Sequence, residues 1–158
     1  MSGTASTSAA ELMASIDAQV AHVWMVRTFL KHSEEAEEDE DLCDVHRTLY
    51  DYMHALGAPR ENRDWPALFK LAKKKFAKLR KATELWEEVQ PEISSHTSFQ
   101  MSRTSLVAAV RKIGELLDEV AALNQASAPR QTVETVASSS EADDAPANGP
   151  DDDSAAAD

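Results

Sequence analysis

Large apolar residues recur at three- and four-residue intervals in four separate stretches of this chain, and no stretch alternates them in twos. A period near 3.6 places such residues on one face of an α-helix, whereas a half-buried strand needs a period of two. The first stripe is Leu12, Ile16, Val20, Val23 and Leu30, with Met25, Val26 and Phe29 filling the gaps. The second is Leu42, Val45, Leu49, Tyr52, Met53 and Leu56. The third is Trp65, Leu68, Ala72, Phe76, Leu79, Thr83 and Trp86. The fourth is Phe99, Leu106, Val110, Ile113, Leu117 and Val120. With only 4 Gly and 6 Pro in 158 residues, little interrupts these stripes. Four amphipathic helices on short connections predict an all-α fold, an antiparallel up-down four-helix bundle.

The helix ends are read from capping chemistry. The first helix starts near Ser8 and ends near Lys31 or His32. The segment KHSEEAEEDED, residues 31–41, has no large apolar residue to anchor it, so a break is expected there in preference to one long helix. Ser33 could cap a new helix, and the acidic cluster suits a helix N-terminus. The second helix is expected from about Asp39 to Leu56, with Gly57 as a left-handed cap and Pro59 beyond it. The third starts at Asp64-Trp65-Pro66 and stops at Gln90-Pro91, because the residue before Pro disfavours helix. The fourth starts at Pro91 or at Ser98 and ends near Asn124. Residues 1–8 are read as a disordered N-terminus, 9–125 as the bundle and 126–158 as a disordered acidic tail. The last segment has too few large apolar residues to offset the entropy of ordering it.

Net charge is −12, and the stretch from Ala126 onward carries −7 of it, with eight acidic residues and one basic. Such a balance argues against nucleic acid as a partner, since phosphate contacts need clustered cations. A single cysteine, Cys43, excludes an internal disulfide and a multi-cysteine metal site. The opening run MSGTASTSAAELMAS has neither the basic nor the apolar part of a secretory signal, and no apolar run approaches the roughly 20 residues of a membrane span, so a cytoplasmic protein is expected.

Four features could carry function. His46 shares the second stripe, and His96 falls on the face of Phe99 and Val110 if the fourth helix begins at Pro91; two inward imidazoles on adjacent helices could hold a metal, with Cys43 and His54 nearby in sequence. Di-iron bundles, however, use Glu-x-x-His pairs, and none occurs here, so no cofactor is expected. Arg47-Thr-Leu-Tyr-Asp-Tyr-Met-His54 resembles the Arg-x4–6-His motif of the HEPN ribonucleases, which are also helical bundles; the resemblance implies an RNA-backbone role for Arg47 and His54. In that family the motif lies late in the fold, whereas here it lies on the second helix. The run from Lys70 to Lys81 holds seven cations and no acid, and is read as the solvated back of the third helix.

The fourth feature is the segment His22-Val-Trp-Met-Val-Arg-Thr-Phe-Leu, which is apolar around more than half the helix circumference. Such breadth implies cover on two sides, and the second cover could be another protein or a second copy of the chain. Its contact residues are then Trp24, Met25 and Phe29. The run AHVWMVRTFLKHSEE is similar to small bacterial helical proteins, a likeness that brings no function. No phosphate loop, nucleophile elbow or standard zinc-ligand pair is present. The leading expectation is a non-enzymatic interaction or oligomerisation module, ahead of a histidine-based metal or small-ligand bundle and of a HEPN-like bundle.

Overall fold

A computed structural model describes residues 7–128, and the account below concerns these. They form five helices and no strand: α1 Ala9–Lys31, α2 Glu35–Glu38, α3 Glu40–Glu61, α4 Trp65–Ile93 and α5 Thr97–Ser127. Apart from the single turn α2, these are four long helices running up and down. Each packs on its sequence neighbour, and α1 closes the ring against α5. The α1–α5 and α3–α4 seams are the broadest and the α1–α3 seam is narrower. The expected four-helix bundle is therefore the fold. Most of the expected tail lies outside the described residues, but α5 continues to Ser127, past the expected end near Asn124.

The starts follow the capping chemistry closely. Ser8 and Glu11 form a reciprocal capping box, with Ser8 N donating to Glu11 Oε2 at 2.7 Å and Glu11 N donating to Ser8 Oγ at 3.2 Å. Asp39 Oδ1 accepts from Leu42 N at 2.9 Å, and Asp64 Oδ1 accepts from Ala67 N at 3.2 Å. The break after Lys31 is present. Ser33 does not cap a helix, however: its hydroxyl donates back to Leu30 O at 2.6 Å, and α2 follows Glu34 without a side-chain cap. Asp39 is extended (φ −114°, ψ 117°), which separates α2 from α3.

The ends depart from expectation. Gly57 lies inside α3 with an ordinary helical φ, and the helix runs through Pro59 to Glu61. Pro59 is buried, and packing of its ring outweighs the one lost backbone hydrogen bond near the helix end. The left-handed residue that ends the helix is Arg63, with φ 50°. Asp64 N donates to Pro59 O at 2.9 Å and Arg63 N to Arg60 O at 3.1 Å, the two bonds of a Schellman motif. Likewise α4 does not stop at Pro91 but continues to Ile93. The buried Gln90 donates its Nε2 to Ser94 O at 2.8 Å and secures the chain where it leaves the helix. Hence α5 starts at Thr97, not at Pro91, and His96 is its N-cap.

The core is built from the inward stripes. Trp86 is fully buried and lies against Phe99 (centroids 6.2 Å), which in turn meets Phe29 edge-on at 5.1 Å. This aromatic chain joins α4, α5 and α1. Tyr52 donates its hydroxyl to Ala72 O at 3.2 Å and ties α3 to α4; burial pushes the ionisation of that phenol well above its ordinary range. Between α4 and α5 the Phe76 ring packs onto Gly114, where an added Cβ would lie 2.9 Å from the tip of the ring.

Glycine is thus present where α3 does not require it and missing where the chain turns left-handed. Gly57→Ala meets open space and removes a helix-interior glycine; Arg63→Gly removes the cost of a left-handed non-glycine residue. Each substitution raises the unfolding free energy by about 0.5–1 kcal/mol in urea titration, and a loss of stability at either position contradicts the corresponding backbone assignment.

Candidate functional site

Of the four seams that close the ring of long helices, α1–α3 is the least packed, and it holds an open apolar groove of about 460 Å³. Its floor is made by the buried side chains Ile16, Val20, Met53, Leu56 and Leu68. Small residues widen it, Ala21 from α1 and Gly57 from α3. At its mouth stand Trp24, Met25 and Tyr50, which are 47%, 67% and 38% exposed and rank among the few large apolar side chains left in solvent.

The two helices run antiparallel here, and the contacts fix their register. At one end Asp17 of α1 accepts an ion-pair contact from Arg60 Nε of α3 at 2.6 Å. Nearly three turns along α1, the Arg27 guanidinium lies 4.6 Å from the Tyr50 ring centroid and 5.6 Å from that of Trp24. Tyr50 in turn stacks on His54, with centroids 5.5 Å apart and planes at 17°. Trp24, Arg27, Tyr50 and His54 thus form a continuous cation and aromatic stack along the groove's edge, and each aromatic face contributes attraction to the cation beside it. Arg27 Nε is buried with no hydrogen-bond partner among the described residues, so the ring faces are its main compensation there.

One turn further on, half-buried His46 lies within reach of the charges of Arg27, Arg47 and Lys31. Burial first, and then these three cations, push its pKa below the ordinary 6.5. None of the three cations forms an ion pair among the described residues. Beyond this end of the groove, three cations thus stand close together without an ion pair of their own among the described residues.

The residues singled out from sequence fall in distinct places. Trp24 and Met25 are exposed at the groove mouth, whereas Phe29 is divided, 37% exposed and packed edge-on against Phe99. His46 faces the cations just named. His96 is exposed, and its Nδ1 accepts from Ser98 N at 3.2 Å as the cap of α5, so it does not share a helix face with Phe99 and Val110. Among the described residues no three or more His, Cys, Asp or Glu side chains gather to hold a metal ion. Arg47 lies over Cys43 Sγ at 3.5 Å, and His54 over Tyr50. The cations of the 70–81 run are exposed except for half-buried Lys75; Arg80 meets Glu84 one turn away at 3.7 Å, and Lys73 lies over Phe69. Among the described residues no helix is long and apolar enough to cross a membrane. Sequence spacing marks Trp24 and Met25, but it does not reveal that Tyr50, His54, Gly57 and Arg60 stand opposite them, because the register between two helices is set by packing. No family model, curated protein or solved structure matches the chain.

The electrostatics around His46 have a measurable consequence. A folded-state pKa below 6.5 means that the unfolded chain takes up the proton first on acidification. The folded state then loses stability as pH falls through 6.5, and the loss is complete below the lowered native value. His46→Asn, which stays neutral, makes the fall in melting temperature between about pH 7 and pH 5 shallower than in the parent chain. Parallel pH profiles for the two proteins would contradict this placement of His46.

Proposed function

We propose that this protein is a non-enzymatic interaction module that docks another protein surface, a partner's or a second copy's, on α1 and the groove beside it. The observation that carries this reading is the doubly apolar character of α1. Its inner stripe, from Leu12 to Leu30, is buried in the bundle. On its outer side Ala14, Ala18, Ala21 and Met25, spaced four, three and four apart, are all exposed, with Trp24 beside them. Only four charged residues, Glu11, Asp17, Arg27 and Lys31, occur in its 23 residues. A helix apolar on both sides is favoured where both sides are covered. Covering what Trp24 and Met25 leave in water would contribute roughly 2–3 kcal/mol, enough to anchor an interface centred on them. Their flexible thioether and broad indole suit the centre of such an interface.

A photo-crosslinking side chain placed at Met25 tests the reading, with the same side chain at Lys78 on the outer face of α4 as control. The Met25 position yields a discrete adduct, either a covalent dimer or a single heavier species, and Trp24→Asp abolishes it while leaving the melting temperature close to that of the parent. Absence of an adduct at Met25, or equal adducts at Met25 and Lys78, contradicts an interaction surface on α1.

A further inference from the structure

Resting on that reading, the geometry points to an occupant of defined chemistry: we infer that the α1–α3 groove receives an amphipathic helix whose apolar stripe fills the groove and whose acidic end faces Arg27, Lys31 and Arg47. Three features of the groove select it.

The first is length. From Asp17 to Lys31 along α1 the groove and its charged extension run about 20 Å at 1.5 Å per residue, the span of a helix of three to four turns. A small amphiphile could fill the cavity, but it would not reach Arg27, Lys31 and Arg47, which lie beyond its lining. A helix lying along the seam spans both, and insertion of one helix into the furrow between two others is a recurrent mode of recognition.

The second is charge, which differs between the two ends. At the Asp17 end the arginine is already neutralised, Arg60 by Asp17 at 2.6 Å. At the other end Arg27, Lys31 and Arg47 have no carboxylate partner among the described residues. Arg27 is held in place by the Trp24 and Tyr50 rings, so its guanidinium is preorganised at the rim rather than free to swing away. Carboxylates arriving there can pair with three cations that are held in no ion pair among the described residues, whereas lysines would be repelled. Complementarity of this kind speeds encounter and rejects wrong partners, and it weakens with salt.

The third is room at the floor. Gly57 lines the groove, and a Cβ added there has no heavy atom within 4 Å among its neighbours. The backbone of α3 is therefore open to close approach along the middle of the groove, where a larger side chain would block an incoming helix.

The test uses the full chain and three synthetic helical peptides of about 16 residues. They share one apolar stripe at helical spacing and differ only in whether the residues flanking one end are Glu, Gln or Lys. Binding is read by fluorescence anisotropy. The Glu peptide binds about tenfold or more tightly than the Gln peptide, and the Lys peptide binds most weakly. The margin shrinks as salt is raised. Arg47→Glu, a change at an exposed position, abolishes the preference for Glu. Gly57→Leu abolishes binding of all three, with melting temperature unchanged or higher as proof that the fold is intact. Equal binding of the three peptides overturns the acidic partner while leaving the interaction reading in place. Binding that survives Gly57→Leu overturns the groove as its site. If no peptide binds yet Trp24→Asp converts a dimer to a monomer, the surface belongs to a second copy and this inference fails. If no peptide binds and Trp24→Asp changes nothing, both readings fall.

Discussion

α1 carries more apolar surface than one side of a bundle can cover. Its inner stripe is held between α5 and the rest of the core, and the Trp86–Phe99–Phe29 contact fixes its rotation about its own axis. With that rotation set, Val20 and Ile16 face inward, Phe29 is drawn partly into the core, and Trp24 and Met25 are left in water. The same rotation positions Arg27 over Tyr50 and Asp17 against Arg60, so the register of α1 on α3 follows from it. The groove is what remains between two helices whose close contacts lie at its two ends, with Ala21 and Gly57 between them.

The charge of the molecule is organised around this seam. Acidic residues gather in α2 and the start of α3, where no apolar anchor exists and where helix N-termini favour them. Cations gather in two places. On α4 they face solvent, and the one ion pair there among the described residues, Arg80 with Glu84, is between exposed partners and contributes little. Beside the groove they are fewer, but they include a guanidinium fixed by two aromatic faces, close to the half-buried His46 imidazole, whose pKa burial and the neighbouring cations lower. That difference in preorganisation, rather than the number of charges, distinguishes the seam from the α4 face as a place for recognition.

Much of the fold is legible in the sequence because it rests on periodicity and capping, both of which are local. The inward stripes of Leu42 to Leu56 and of Leu106 to Val120 are the buried ones, and Ser8, Asp39 and Asp64 cap the helices they precede. Helix ends are less legible because burial competes with local breakers. Pro59 is retained inside α3 by packing, Pro91 falls in a last turn that Gln90 secures, and the left-handed turn falls on Arg63 although Gly57 offers the better residue. A last helix starting at Pro91 would put His96 on the face of Phe99, but α4 runs to Ile93, so α5 starts at Thr97 and His96 caps it. Of the candidate site, the α1 half is visible as a stripe too broad for one seam. The α3 half is not, since Tyr50, His54 and Arg60 acquire meaning only from the interhelical register.

The central claim is that Trp24 stands on a docking surface whereas Trp86 belongs to the core. Incorporating 5-fluorotryptophan gives each of the three indoles its own ¹⁹F resonance, assigned by replacing Trp24, Trp65 and Trp86 one at a time with Phe. Adding the Glu-flanked peptide, or raising the concentration of the chain itself, moves the Trp24 resonance from its solvent-exposed position and leaves that of Trp86 in place. A Trp24 resonance that stays at the solvent-exposed position under both conditions contradicts the account.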